Sequence, residues 1–292
     1  MSQLRYALYT GCTAKQSTPE LLSSTLAVAA KLDIELTILE EASCCGASHL
    51  QDFDPFLSHV LNARNICYAE KLGLTMVTIC NTCQLNLAMT KEALDSDPTL
   101  KARVNEKLKE VGLEYKGTVA IKHFLYALID DYTLEAISQK VTTPLSHFNI
   151  APFYGCHNIR PSHLHKGENP YVPNSLDNLI VALEGKAVDY ASKNKCCGFH
   201  VELQANHTSE ILAGNAMIDA IDNNADMVVT PCPLCHLKMD TYQDNISKTT
   251  GRDINIPILH MPQMVALALG CSADEIGFKY HVSKATHIMP KA

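Results

Sequence analysis

Short apolar runs alternate with longer stretches of helical spacing along the first half of the chain. Residues 4–9, 34–39 and 75–79 are brief and rich in β-branched or aromatic side chains, which predicts strands. Between them, residues 19–32 and 55–72 carry apolar positions at helical intervals. The second of these opens on Asp54-Pro55 and stops at Gly73, the residues that start and end helices. The second half repeats the alternation, with strands expected at 152–154, 187–190 and 227–230 and helices at 176–183 and about 209–223. Each half closes on a similar apolar run, 119–124 and 256–261, with His123 and His260 at matching places.

The cysteines show that the likeness of the halves is a duplication. Cys12, Cys44, Cys45, Cys80 and Cys83 form one set; Cys156, Cys196, Cys197, Cys232 and Cys235 form the other in the same order. The gap from the adjacent pair to the CxxC is 34 residues in both, and from the single cysteine to the pair it is 31 in one and 39 in the other. Tyr9-Thr10-Gly11-Cys12 answers Tyr154-Gly155-Cys156, and Cys44-Cys45-Gly46 answers Cys196-Cys197-Gly198. A unit of about 150 residues is too long for a solenoid repeat and is the size of a whole domain. The expected fold is therefore α/β: two pseudo-symmetric Rossmann-like domains with parallel sheets, residues 1–143 and 144–292, divided near Thr142-Thr143-Pro144. Right-handed crossovers then bring every cysteine group to the carboxyl edge of a parallel sheet, where open α/β folds bind ligands.

Composition narrows the chemistry. Hydrophobic residues make up 47% and charged residues 19%, a globular balance, and the formal net charge of -7 gives a nucleic-acid backbone no basic surface. No run approaches the roughly 20 apolar residues of a membrane span, and residues 1–9 lack the pattern of a signal peptide, so a cytoplasmic protein is expected. In a reducing compartment twelve cysteines are not a disulfide framework, and metal or redox chemistry becomes the default.

Five thiols per half are one more than a tetrahedral zinc or a cubane cluster uses. Two adjacent cysteines converge poorly on one metal ion but can serve neighbouring irons, so the pair favours a polynuclear centre. Zinc at one of the sites, a vicinal disulfide, and dithiol chemistry at either CxxC are the alternatives. Gly46 and Gly198, each directly after a pair, allow backbone N–H groups to approach the sulfurs. Cys67 and Cys271 fall outside the repeat and are expected to be buried thiols.

With these residues in view, the doubled Cx31–39CCGx34CxxC pattern resembles the CCG-domain family. Within it the chain looks most like the B-type subunits of heterodisulfide reductases; the likeness extends through Tyr154-Gly155-Cys156-His157 with Arg160-Pro161, Asn169-Pro170, and Thr230-Pro231-Cys232-Pro233-Leu234-Cys235-His236. The resemblance implies two noncubane [4Fe-4S] clusters, one per half, held by the ten cysteines named above. It also implies a disulfide or thiol substrate where the clusters face each other, and iron–sulfur and flavoprotein partner subunits that exchange electrons with it. Related subunits occur in sulfur-oxidising heterodisulfide reductase-like complexes, in unusual quinone-linked succinate dehydrogenases and fumarate reductases, and in lactate or glycolate oxidation. Gly46-Ala47-Ser48 departs from the methanogenic form, which tends to place proline after its first pair. No nucleotide motif is present, so electrons must come from a partner.

Three residues are weaker candidates for catalysis: His157 and His236 as proton donors beside Cys156 and Cys235, and Arg160 as a fork for an anionic group. The apolar stretch 261–269 reads as a core helix or as a docking helix for a partner or a membrane surface. The tail from His281 has no periodicity.

Overall fold

The computed structural model describes residues 3–165 and 168–283; most of the tail, 284–292, lies outside the described residues. The first half runs β1 (Arg5–Tyr9), α1 (Gly11–Gln16), α2 (Pro19–Lys31), β2 (Glu35–Ile38), α3 (Ala47–Phe53), α4 (Pro55–Leu72), β3 (Met76–Thr78), α5 (Asn81–Ser96), α6 (Pro98–Lys109) and β4 (Ile121–His123). A helical connection follows: α7 (Phe124–Tyr126), a π-helix at Ala127–Thr133, and α8 (Leu134–Ser138). The second half continues with β5 (Asn149–Pro152), α9 (Ser175–Ala182), β6 (Lys186–Ala187), α10 (Asn206–Asp222), β7 (Met227–Thr230), α11 (Pro233–Thr241), α12 (Gln243–Thr250), β8 (Ile258–His260) and α13 (Met261–Ala268).

Each half holds one four-stranded, wholly parallel sheet, in the orders β2-β1-β3-β4 and β6-β5-β7-β8. In both sheets the chain moves one way from the first strand and the other way from the third, so a crevice opens at their carboxyl ends. Helix α4 shows why the local signals were readable. Asp54 accepts a hydrogen bond from Leu57 N at 2.9 Å, Pro55 fills the first turn, and Gly73 ends the helix at φ 64°. Asp54→Ala is expected to cost about 1 kcal/mol of unfolding free energy, measured by urea titration, with the thiol chemistry unchanged.

Two strands sit differently from their sequence bounds. The first strand of the second half is β5, Asn149–Pro152, rather than 152–154, because the apolar run continues through both and does not mark where pairing stops. The run expected at 187–190 pairs only at Lys186–Ala187; Val188 N still donates to Ile150 O at 2.9 Å before the edge strand leaves the ladder.

Both hydrophobic clusters draw on both halves. One joins β1 and α2 to α9 and α13; the other contains Cys45, Cys80 and Cys83 together with Cys197, Cys232 and Cys235. Every residue of α13 is buried, so the stretch expected as a possible docking helix is core. No helix among the described residues is long and apolar enough to cross a membrane.

Candidate metal centre

The strand-to-helix turns carry the thiols. Cys12 follows β1, Cys44 and Cys45 follow β2, and Cys80 and Cys83 begin α5; the second half repeats this after β5, β6 and β7. In the first set Sγ of Cys44 is 3.5 Å from Cys12, and Sγ of Cys45 is 3.4 Å from Cys83. In the second set side-chain contacts link Cys156 to Cys196, Cys196 to Cys197, Cys197 to Cys235 and Cys235 to Cys232. Cys80 and Cys232 also meet, so the two sets touch across the halves. All ten expected cysteines are brought together, none of them bridged; Cys67 and Cys271 are buried elsewhere.

Glycines make the room. Gly11 and Gly155, at φ 71° and 70°, occupy equivalent turns. A Cβ on Gly11 would stand 3.1 Å from Cys83 Sγ, and one on Gly155 would stand 3.2 Å from Cys235 Sγ. Backbone donors reach the sulfurs as expected: Gly46 N is 3.4 Å from Cys44 Sγ and Gly198 N is 3.3 Å from Cys196 Sγ. Ala47 N adds a third at 3.4 Å from Cys45 Sγ, and the Asn86 amide lies 3.5 Å from the same sulfur.

Thiols packed this closely share their protons. Cys45 is held well below the ordinary thiol range by hydrogen bonds from Cys44 and Cys83, while Cys83 is pushed well above it by Cys45 and Cys80. Cys196 is drawn down to about 2 by Cys156 and Cys197, and Cys156 is pushed up, first by Cys196. Burial raises Cys232, but hydrogen bonds from Cys235 and Cys80 outweigh it and hold that thiol well below its usual range. Like charges in contact cannot all ionise; metal cations in place of the shared protons would let them. The donor set, the glycine clearances and the amides directed at sulfur all fit a thiolate-bound cluster.

The openness of the two centres differs. Cys12 and Cys44 are exposed, whereas Cys156 and Cys196 are half-buried. A small cavity beside the second set is lined by Asn81, Thr82, His157 and His200 as well as cysteines. Thr82 Oγ1 is 2.9 Å from His157 Nδ1 and 3.4 Å from His200 Nε2. Sequence reading missed Thr82 and His200; the one signal for His200 was its place three residues beyond the second pair. Asn81 Nδ2 donates to Tyr154 O at 2.8 Å, tying the first CxxC turn to the second half. Asn81→Leu, which orphans that buried carbonyl, is expected to destabilise the chain by about 1–3 kcal/mol in denaturant unfolding.

The three weaker candidates are placed less favourably for catalysis. His157 lines the cavity, but burial lowers its pKa, which favours the neutral imidazole over the proton-donating form. His236 is buried away from that cavity and stacked on His260, its pKa well below the usual range through burial. Arg160 spends its fork on carbonyls, at 2.8 Å from Asn194 O and 3.1 Å from Pro170 O, which ties two loops together.

A family model described as "Cysteine-rich domain" (CCG) matches residues 6–88 and 150–240, one copy on each sheet and its thiol set. The chain belongs to the CCG cysteine-rich domain family. Membership and the clustered thiols together point to iron–sulfur binding. The chain is 36% identical over 286 residues to the 8-methylmenaquinol:fumarate reductase membrane anchor subunit of Wolinella succinogenes, covering 98% of this chain and 99% of that one. It is 34% identical over 290 residues to the B subunit of the ferredoxin/F(420)H(2)-dependent CoB-CoM heterodisulfide reductase of Methanosarcina acetivorans, covering 98% and 96%. Both relatives are named as subunits of reductases. A crystal structure of a hypothetical protein from Helicobacter pylori shares the fold with a TM-score of 0.81 at 20% identity. It matches 97% of this chain, which spans about half (52%) of that structure's length.

Proposed function

We propose that this CCG protein is the iron–sulfur subunit of a heterodisulfide reductase-like complex, exchanging electrons with a disulfide or thiol at two adjacent noncubane [4Fe-4S] clusters. Cys12, Cys44, Cys45, Cys80 and Cys83 would hold one cluster and Cys156, Cys196, Cys197, Cys232 and Cys235 the other, in domains spanning 1–143 and 144–292. The observation that supports this reading is that cysteines of both sets lie in one buried cluster, where Asn81 of the first CxxC donates to Tyr154 O beside Cys156 at 2.8 Å. When bound, clusters of this kind supply one-electron chemistry and irons open to sulfur.

The chain's own groups do the rest. Amides of Gly46, Ala47 and Gly198 and the side chain of Asn86 donate to sulfur and so stabilise the negative charge of thiolate ligation. Thr82, His157 and His200 cover the second set, while exposed Cys12 and Cys44 leave the first open to a substrate or a partner's electron carrier. Iron–sulfur and flavoprotein subunits are the expected partners.

The test is anaerobic reconstitution followed by addition of small disulfides or thiols. A new thiol-dependent paramagnetic species supports the proposal, and its absence with both clusters present counts against disulfide chemistry. A second reading, favoured by the 36% identity to the Wolinella subunit, is an electron relay of a quinone-linked fumarate reductase held peripherally at the membrane. Co-purification with a flavoprotein active on dicarboxylates would select it.

A further inference from the structure

His123 and His260 end equivalent strands, yet their surroundings differ. His123 Nε2 lies 3.1 Å from the Pro231 carbonyl, whereas His260 Nε2 lies 3.2 Å from Oε1 of Glu20, a carboxylate supplied by α2 of the other half. His236, from α11, stacks on His260 with ring centroids 3.8 Å apart, and His281 meets His236 edge-on at 5.0 Å. Asp240 follows His236 by one helical turn, its Oδ1 3.7 Å from His281 Nδ1.

The knot is sealed from solvent and short of partners. Glu20 is 2% exposed, His236 2% and His260 0%. Among the described residues, Oε2 of Glu20 has no hydrogen-bond partner, His236 keeps only a backbone contact with Ile258, and the His260 side chain faces the Gln263 N–H in the cap of α13. Buried polar atoms are normally satisfied, so a sealed carboxylate oxygen of one half facing two imidazoles of the other needs an explanation.

We propose that Glu20, His236 and His260 bind one divalent transition-metal ion of the zinc or iron(II) class, at a site separate from the cysteine centres. One nitrogen or oxygen from each lies within 4.8 Å of the others. The 3.2 Å between Glu20 and His260 donor atoms matches the tetrahedral edge of about 3.3 Å that metal–ligand bonds of roughly 2.0–2.1 Å produce. Two imidazoles and a carboxylate are a donor set for such ions, not for magnesium or calcium. The His236 ring must turn out of its stack and give up its contact with the Ile258 backbone to aim a nitrogen at the ion, whose bond replaces that contact. A His236 nitrogen also lies within 4.8 Å of an Asp240 oxygen, and a carboxylate is the partner that commonly orients a metal-bound histidine. The ion would staple α2 of the first half to β8 and α11 of the second.

Cobalt(II) tests this on the full-length chain, purified without oxygen and carrying its iron–sulfur complement. The expected result is one cobalt per chain with d–d absorption and no thiolate-to-cobalt charge-transfer band, together with a rise in Tm that a chelator reverses. Glu20→Gln and His260→Phe are each expected to weaken cobalt binding more than about a hundredfold, beyond the loss from removing an orienting partner alone, with iron and sulfide contents unchanged. No stoichiometric uptake, a thiolate band, or unchanged binding in both variants would overturn the site. Should a variant fail to fold, an anomalous map at the cobalt edge on the unsubstituted protein decides between ion and none. Counting iron and sulfide separately keeps failure of this site distinct from failure of the cysteine centres.

Discussion

Cys83→Ser is expected to remove one centre and spare the other, lowering iron and acid-labile sulfide from about eight of each per chain to about four. The Cys83 sulfur is buried, 3.4 Å from Cys45, and faces the clearance left by Gly11. Serine keeps the volume but is a poor ligand for iron beside thiolates, and no other cysteine of the set stands free to replace it. Cys235→Ser, at the equivalent place before Gly155, should remove the second centre in the same way. Iron and sulfide analysis of protein prepared without oxygen reads the result directly. Contents that stay near eight in both variants would remove these residues from the ligand set, and two zinc ions with no iron would end the cluster reading altogether.

Gly198→Ala is expected to abolish the second centre and destabilise the chain by about 3 kcal/mol or more. The backbone there has φ 80°, which alone costs an L-residue roughly 1–2 kcal/mol. A Cβ would also stand 2.6 Å from the Ser209 carbonyl oxygen and 2.8 Å from Ser209 Cα, both backbone atoms of α10 that cannot swing aside. Relief requires the Cys196-Cys197-Gly198 turn to move, and the two sulfurs move with it. Gly73→Ala is the control: its φ is 64°, but nothing lies within 4 Å of the added carbon, so only the conformational part of about 1 kcal/mol should appear. Urea unfolding of the two variants side by side separates strain from collision; equal losses would show that the contact with α10 is unimportant.

The touching of the two thiol sets bears on how electrons would leave the protein. If each set holds a cluster as proposed, the approach of Cys80 to Cys232 would couple the two, and the paramagnetic signal of one should carry the imprint of the other. The more open Cys12 and Cys44 face and the more covered Cys156 and Cys196 face would give such a pair a direction, although the chain that builds them is a duplication.

The sequence by itself determined the repeat, the alternation of strand and helix, and the number of sulfur donors per half. These are local properties: a spacing, a cap such as Asp54-Pro55, a glycine after a pair. Parallel crossovers oblige cysteines that follow strands to gather at one sheet edge, so their convergence was legible without coordinates. Tertiary structure alone decided how the halves meet. Asn81 on Tyr154, Thr82 on His157 and Cys80 on Cys232 join residues more than 70 positions apart, and no periodicity encodes such pairs. The burial of α13, the use of Arg160 on carbonyls, and the gathering of Glu20 with His236 and His260 depend on side-chain packing between two sheets, which the pattern along either half does not contain.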